Sequence, residues 1–73
     1  MIVKHSGSET VFEALTGKAD RDDILAINYW CRVSIPGRFR FSSILPTLNG
    51  FRRTFWMDDR GAALLFKLRW VNT

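Results

Sequence analysis

Apolar residues near the start of the chain recur at the spacing of a helix. Val11, Phe12 and Leu15 would form one stripe along such a helix, and Gly17 supplies a C-terminal stop. Two candidate capping boxes, each a serine or threonine followed three residues later by a glutamate, accompany this stripe. The pattern predicts a short helix over residues 6–17.

Farther along, apolar residues occupy every second position, which is the period of a strand. The alternating set is Leu25, Ile27, Tyr29, Cys31, Val33 and Ile35. The aspartates between residues 20 and 23 resemble a helix start instead, because acidic side chains favour the positive end of the helix dipole. We expect a strand over residues 25–35, with room for one helical turn before it. Helix and strand both stay open for residues 20–35.

Three turn signals divide the rest of the chain. Pro36-Gly37 fits the centre of a type II turn, Asn49-Gly50 is a strong hairpin signal, and residues 58–61 form a polar turn that ends in glycine. The run that starts at Phe39 alternates with polar residues and predicts a strand. Pro46 ends that run and fits only at a sheet edge or a bend.

Residues 51–57 predict a further strand. Residues 62–71 predict the last one, although Asp59 is placed to cap a helix there, so both structures stay open for residues 59–71. The regular spacing of the turns is typical of an antiparallel meander. We therefore expect one α+β domain over residues 1–73, in which a short N-terminal helix packs on a small antiparallel β-meander of three to four strands.

The charge is unevenly distributed along this small chain of 73 residues and net charge +4. Residues 1–25 carry three basic and five acidic side chains, whereas residues 26–73 carry eight basic and two acidic ones. Seven of those eight basic residues are arginines, which favour paired hydrogen bonds to carboxylates or phosphates. An apolar fraction of 47% excludes a disordered tail. The second part of the chain is therefore suited to an anionic partner.

Few residues are available for chemistry. Cys31 is the one cysteine and lies 26 positions from His5, the one histidine, so we expect neither an internal disulfide nor a metal site. Cys31 is interpreted as a small buried hydrophobe. No nucleophile–base pair or glycine-rich phosphate loop is evident, and helix capping and turn formation explain the adjacent carboxylates Asp22-Asp23 and Asp58-Asp59, so we expect no enzyme and no cofactor. Without an 18-residue apolar run or a signal-peptide pattern, we expect no membrane span and a cytoplasmic protein.

Basic and aromatic residues are interleaved in three stretches of the second part. These stretches are residues 38–41, 51–56 and 66–70. An amphipathic sheet with a cationic outer face explains the alternation by itself. Two functional interpretations remain: contact with RNA or DNA, or contact with an acidic protein surface through arginine and aromatic side chains.

One of these stretches carries a family resemblance. Residues 65–69, Leu-Phe-Lys-Leu-Arg, are similar to a basic-apolar stretch near the C-terminus of the Kil-type killing proteins of lambdoid, Rac-like prophages. The resemblance implies a host-directed inhibitor that blocks bacterial cell division by binding the FtsZ-like division protein, an acidic partner. The contact residues that we expect are Arg52, Arg53, Lys67, Arg69 and Trp70. The oligomeric state stays open.

A second resemblance supports an alternative. Residues 51–55 and 64–72 look like the last hairpin of RelE-superfamily toxins. This resemblance implies an RNA-binding or mRNA-cleaving toxin, for which the expected contacts are Arg38, Arg40, Arg52 and Arg53. A third possibility is a structural or accessory phage protein without toxicity.

Overall fold

The computed structural model describes residues 1–71 and has two layers, an antiparallel sheet and a pair of helices. In chain order the elements are β1 Ile2–His5, β2 Val11–Gly17, α1 Asp22–Ser34, β3 Phe39–Phe41, β4 Leu45–Pro46, β5 Gly50–Met57 and α2 Arg60–Trp70. A short 3-10 turn over Lys18–Asp20 precedes α1. The sheet order is β1-β2-β5-β3, and β4 also pairs with β5. The α+β class and the antiparallel sheet are confirmed, but the sheet has five strands rather than three to four.

Strands β3 and β4 behave as one edge strand that is interrupted by a bulge. Phe41 pairs with Phe55 and Leu45 pairs with Arg52, so the edge strand has three residues between these two pairs where β5 has two. The Ser42 hydroxyl accepts a hydrogen bond from the Thr54 amide at 3.0 Å, which occupies that donor where the ladder is disrupted. Pro46 lies on this edge, as its missing N–H requires.

The predicted helix over residues 6–17 is wrong. Residues 6–10 form a turn in which Gly7 has a φ of 85°, and the Ser6 amide donates to the Val11 carbonyl at 2.9 Å. Residues from Val11 onward form β2, whose buried side chains alternate with half-buried ones. The apparent helical stripe combined Phe12 from the inner face with Val11 and Leu15 from the outer face. The first α-helix therefore lies after two strands, not at the N-terminus.

The predicted strand over residues 25–35 is also wrong, because this segment forms α1. Its buried residues, Ile24, Ile27, Asn28 and Cys31, follow the helical period. The alternation in the sequence arose because Tyr29 and other apolar side chains occupy the exposed face of the same helix. Cys31 is buried as expected, and burial raises the pKa of its thiol to about 12.

The type II turn at Pro36-Gly37 is confirmed. Gly37 has a φ of 73°, and the Arg38 amide donates to the Ile35 carbonyl at 3.2 Å. The hairpin at Asn49-Gly50 is also confirmed, because β4 and β5 pair on either side of it and the Thr47 amide donates to the Gly50 carbonyl.

The last strand, predicted over residues 62–71, is wrong. The helical alternative for residues 59–71 is correct, because α2 spans Arg60–Trp70. Asp59 caps α2, since its carboxylate accepts from the Ala62 amide at 2.8 Å. Ala62, Ala63 and Phe66 then face the core at helical spacing. The aspartate that seemed to belong to a turn is therefore the helix start.

The core lies between the helices and one face of the sheet. Phe12 of β2, Phe55 of β5 and Phe66 of α2 are fully buried there. The Phe66 ring centroid is 4.6 Å from that of Phe12 and 5.6 Å from that of Phe55. Smaller residues of α1 complete the core, so both helices pack on the same, inner face of the sheet.

Gly50 is required where β5 begins beside the end of β2. It is buried, and a Cβ atom there would overlap the backbone carbonyl of Thr16. We expect Gly50→Ala to lower the free energy of unfolding by at least about 2 kcal/mol, because backbone must move to make room. Urea unfolding followed by circular dichroism measures this.

Gly17, the residue paired with Gly50, provides the control. A Cβ at Gly17 would meet only an Asp20 carboxylate oxygen at 3.7 Å, and the backbone there is extended. Gly17→Ala should change stability by less than about 0.5 kcal/mol. Equal losses in the two variants would contradict the close approach at Gly50.

Candidate functional site

One face of the sheet is not covered by any element among residues 1–71. The helices pack on the inner face, and the strand alternation turns the remaining side chains outward. We call this surface the outer sheet face. It consists of Ile2, Lys4, Val11, Glu13, Leu15, Arg40, Leu45, Arg52, Thr54 and Trp56.

Strand register arranges this face in cross-strand rows. Trp56 of β5 lies between Val11 of β2 and Arg40 of β3. Two residues earlier along β5 is Thr54, and two earlier again is Arg52, which pairs with Leu15 and Leu45. An indole that is 36% exposed therefore lies beside Arg40, and Arg52 lies four residues away along β5 on the same face, which also carries apolar side chains.

Within residues 1–71, the arginines of the outer sheet face make only long ion pairs. Arg40 Nε lies 3.7 Å from Asp58 Oδ1, and Arg52 Nη1 lies 3.9 Å from Glu13 Oε1. These distances exceed those of good charge-assisted hydrogen bonds, which lie near 2.8 Å. The guanidinium donors therefore remain available to a partner's carboxylates or phosphates. With Lys4 as a third base and Glu13 as the one acid, this face is cationic.

Arg53 lies on the opposite face from its neighbour Arg52. It is 9% exposed, and its Nη1 donates to the Asn28 side-chain oxygen of α1 at 2.9 Å. Its guanidinium stacks 4.6 Å from the Phe41 ring centroid. Burial lowers the pKa of Arg53, and the charge of Arg21 lowers it further. The structure thus places this expected contact residue inside the fold.

The other expected contacts, Lys67, Arg69 and Trp70, lie on α2. Trp70 packs edge-on against Trp30 of α1, with 6.3 Å between ring centroids, and the Arg69 guanidinium covers its ring at 4.0 Å. The structure does not bring the five residues together. Arg52 is on the outer sheet face, Arg53 is inside, and the remaining three belong to the helical layer.

A shallow groove of about 300 Å³ lies at Lys67, between α2 and the first hairpin. His5 and Leu64 also line it, and Arg60 Nε pairs with Glu9 Oε1 across it at 2.8 Å. The ion pair engages Arg60 and Glu9, which leaves Lys67 as the remaining lysine or arginine of the groove, so the groove offers fewer basic groups to an anionic partner than the outer sheet face does.

The arginines expected to contact RNA are divided as well. Arg38 is engaged by Asp59, with Nε–Oδ2 and Nη2–Oδ1 distances of 2.9 and 2.6 Å. Of that set, Arg40 and Arg52 lie on the outer sheet face. Trp56 was not among the expected contacts in either set, although the two-residue period of β5 places it on the same side as Arg52.

The described part of the chain, residues 1–71, contains no group of three histidine, cysteine or acidic side chains placed to hold a metal ion. No helix among these residues is both long and apolar enough to cross a membrane.

Comparison of the chain with protein-family models, curated proteins and solved structures gives no match in any of the three.

The Arg38–Asp59 pair makes stability depend on pH. The hydrogen bond from Arg38, followed by that from the Ala62 amide, lowers the pKa of Asp59 from 3.8 to about 2. A lowered pKa in the folded state stabilises the fold above pH 3.8, and this contribution is lost as the pH falls towards 2. We expect the melting temperature to fall through this window.

Asp59→Asn retains a capping oxygen but loses the ionised group, so its melting temperature should fall less over the same window. Asp58→Asn is the matched control, because it removes a neighbouring carboxylate and leaves the α2 cap intact. Thermal melts between pH 5 and pH 2 compare the three proteins. An Asp59→Asn profile parallel to that of the unsubstituted chain would contradict this role of Asp59.

Proposed function

We propose that the chain is a small binding protein that holds an acidic protein partner on its outer sheet face. The observation that carries the proposal is Trp56 lying beside Arg40, on the same uncovered surface as Arg52. Tryptophan and arginine are the side chains most often found at the energetic centres of protein interfaces.

The shape of the surface favours a macromolecular partner. The groove beside Lys67 is shallow, whereas the outer sheet face spans all five strands and offers bases, an indole and aliphatic side chains together. Carboxylates of a partner would pair with the arginines while its apolar residues cover Trp56 and Leu45. An interface of this composition fits binding by contact, without chemistry on the bound molecule.

The resemblance to Kil-type proteins makes the FtsZ-like division protein the first partner to test. Binding to such a protein would block assembly of the division polymer, and rod-shaped cells would then grow into filaments. The cationic outer sheet face supports an acidic partner of this kind, and the resemblance alone supplies its identity.

The test combines purified components with cell morphology. We expect Trp56→Ala and Arg52→Glu each to weaken binding to an FtsZ-like protein by at least about tenfold, as loss of an interface hot spot does. Arg69→Glu makes the same charge change on α2 and should bind as the unsubstituted chain does. Titration calorimetry measures affinity, and circular dichroism checks that each variant is folded.

Induced expression should produce filaments with the unsubstituted chain and with Arg69→Glu, but not with Trp56→Ala. Normal division at high levels of the unsubstituted chain would refute the division-inhibitor proposal. Loss of binding in Arg69→Glu alone would move the contact surface to the helical layer.

A second candidate function is binding of single-stranded RNA, favoured by the same alignment of Arg40, Trp56 and Arg52. Bases stack on exposed indoles, and arginines contact the phosphates between them. This candidate predicts RNA binding that weakens steeply as salt rises, and cells arrested at normal length. Fluorescence anisotropy with a labelled oligoribonucleotide tests it, and absence of binding at low salt would exclude it.

A further inference from the structure

The helical layer carries apolar side chains on the side that faces away from the sheet. On α1, Leu25, Tyr29 and Val33 repeat every fourth residue, opposite the buried residues Ile27 and Cys31. A helix that covers a sheet in a two-layer protein normally has a polar outer surface. A helix that is apolar on both sides is typical of one that is covered on both sides.

Helix α2 has the same character. Leu64, Leu65 and Leu68 lie outward, away from the buried Ala62 and Phe66. The Trp30 ring of α1 meets the Trp70 ring of α2 edge-on, and both helices pack on the inner sheet face, so the outer surfaces of both helices point away from the sheet. We call this surface the outer helix face.

The size of this apolar surface matches an interface. Its six large side chains are each 44–74% exposed. Together they present on the order of 600 Å² of apolar surface, the upper end of the largest patch on a typical monomer. With a polar rim, this approaches the roughly 800 Å² that each partner contributes to a standard interface.

We propose that the outer helix face binds a second copy of this chain, with the two α1 helices antiparallel about a two-fold axis at Tyr29. In that arrangement residues equally distant from Tyr29 face each other, so Leu25 meets Val33 of the second copy. Each apolar side chain of α1 is then covered by another, and the opposed helix dipoles attract.

The charges on α1 are complementary in the same arrangement. Asp22 and Asp23 lie in its first turn, and Arg32 lies in its last turn. Arg32 of one copy faces Ala26 of the other, which is about 6 Å along the axis from Asp22. An arginine side chain spans this distance. Asp22 and Asp23 would be repelled by an anionic membrane surface, whereas a second copy supplies Arg32 to pair with them, so the charges of α1 favour a second copy.

Sedimentation equilibrium of the full chain tests the proposal. The unsubstituted chain should form a dimer, and Tyr29→Lys should weaken dimerisation by at least about 100-fold, because it places two charges on the two-fold axis. Leu48→Lys is the matched control, since Leu48 is 90% exposed in the β4–β5 loop and belongs to neither helix. It should leave the dimer intact.

A charge exchange tests the antiparallel arrangement. Asp22→Arg and Arg32→Asp should each weaken the dimer, and the double variant should restore most of the loss because the pair is re-formed with reversed signs. Melting curves check that the variants fold. The double variant also separates lost pairing from a mere change in helix-end electrostatics, which it would not repair.

The proposal is overturned if the unsubstituted chain remains a monomer up to millimolar concentration, if Tyr29→Lys remains a dimer, or if the double variant recovers nothing. A monomer that binds vesicles containing anionic lipids would assign the outer helix face to a membrane surface instead. Arg52 lies on the outer sheet face, on the other side of the molecule, so Arg52→Glu should leave dimerisation unchanged. The dimerisation test is therefore independent of the test of partner binding.

Discussion

The contact among Phe12, Phe55 and Phe66 holds the two halves of the molecule together. The first half is β1 and β2 followed by α1, and the second half is the interrupted edge strand β3–β4 and β5 followed by α2. A two-stranded hairpin alone is marginally stable in water. Phe12 comes from the first half, and the other two phenylalanines come from the second. Antiparallel pairing of β2 with β5 sets Phe12 directly opposite Phe55, and Phe66 of α2 closes over both. The inner and outer faces of the sheet are defined by this contact.

The two-residue period of strand β5 divides its side chains between the core and the outer sheet face. Its inward positions include Phe55 and Arg53, and its outward positions include Arg52 and Trp56. Arg53 is buried inside the fold, where the side-chain oxygen of Asn28 accepts a hydrogen bond from its guanidinium and the Phe41 ring packs against it. The basic and aromatic residues that looked like one continuous signal therefore divide between the core and the surface.

Local turn chemistry explains why residues 36–57 were predicted well. The geometry at Gly37 and the hairpin at Asn49-Gly50 depend on residues adjacent in sequence. Residues 25–35 were misassigned because Tyr29 and its exposed apolar neighbours masked the helical period of the buried ones. The five expected contact residues are not brought together in the structure, for a related reason. Arg69 was expected on a strand and lies on α2 in the other layer, whereas Arg52 lies on a strand as expected.

The pairing of β2 with β5 also has a consequence for the order of events during synthesis. It joins Val11 to Trp56 and Gly17 to Gly50, which are far apart in the chain. The first hairpin and α1 leave the ribosome earlier, before Phe55 and Phe66 are available to cover Phe12. Closing such a long loop is slow compared with forming a turn. The chain therefore acquires its core only when α2 has been translated, and an incomplete chain has little protection against proteolysis or aggregation.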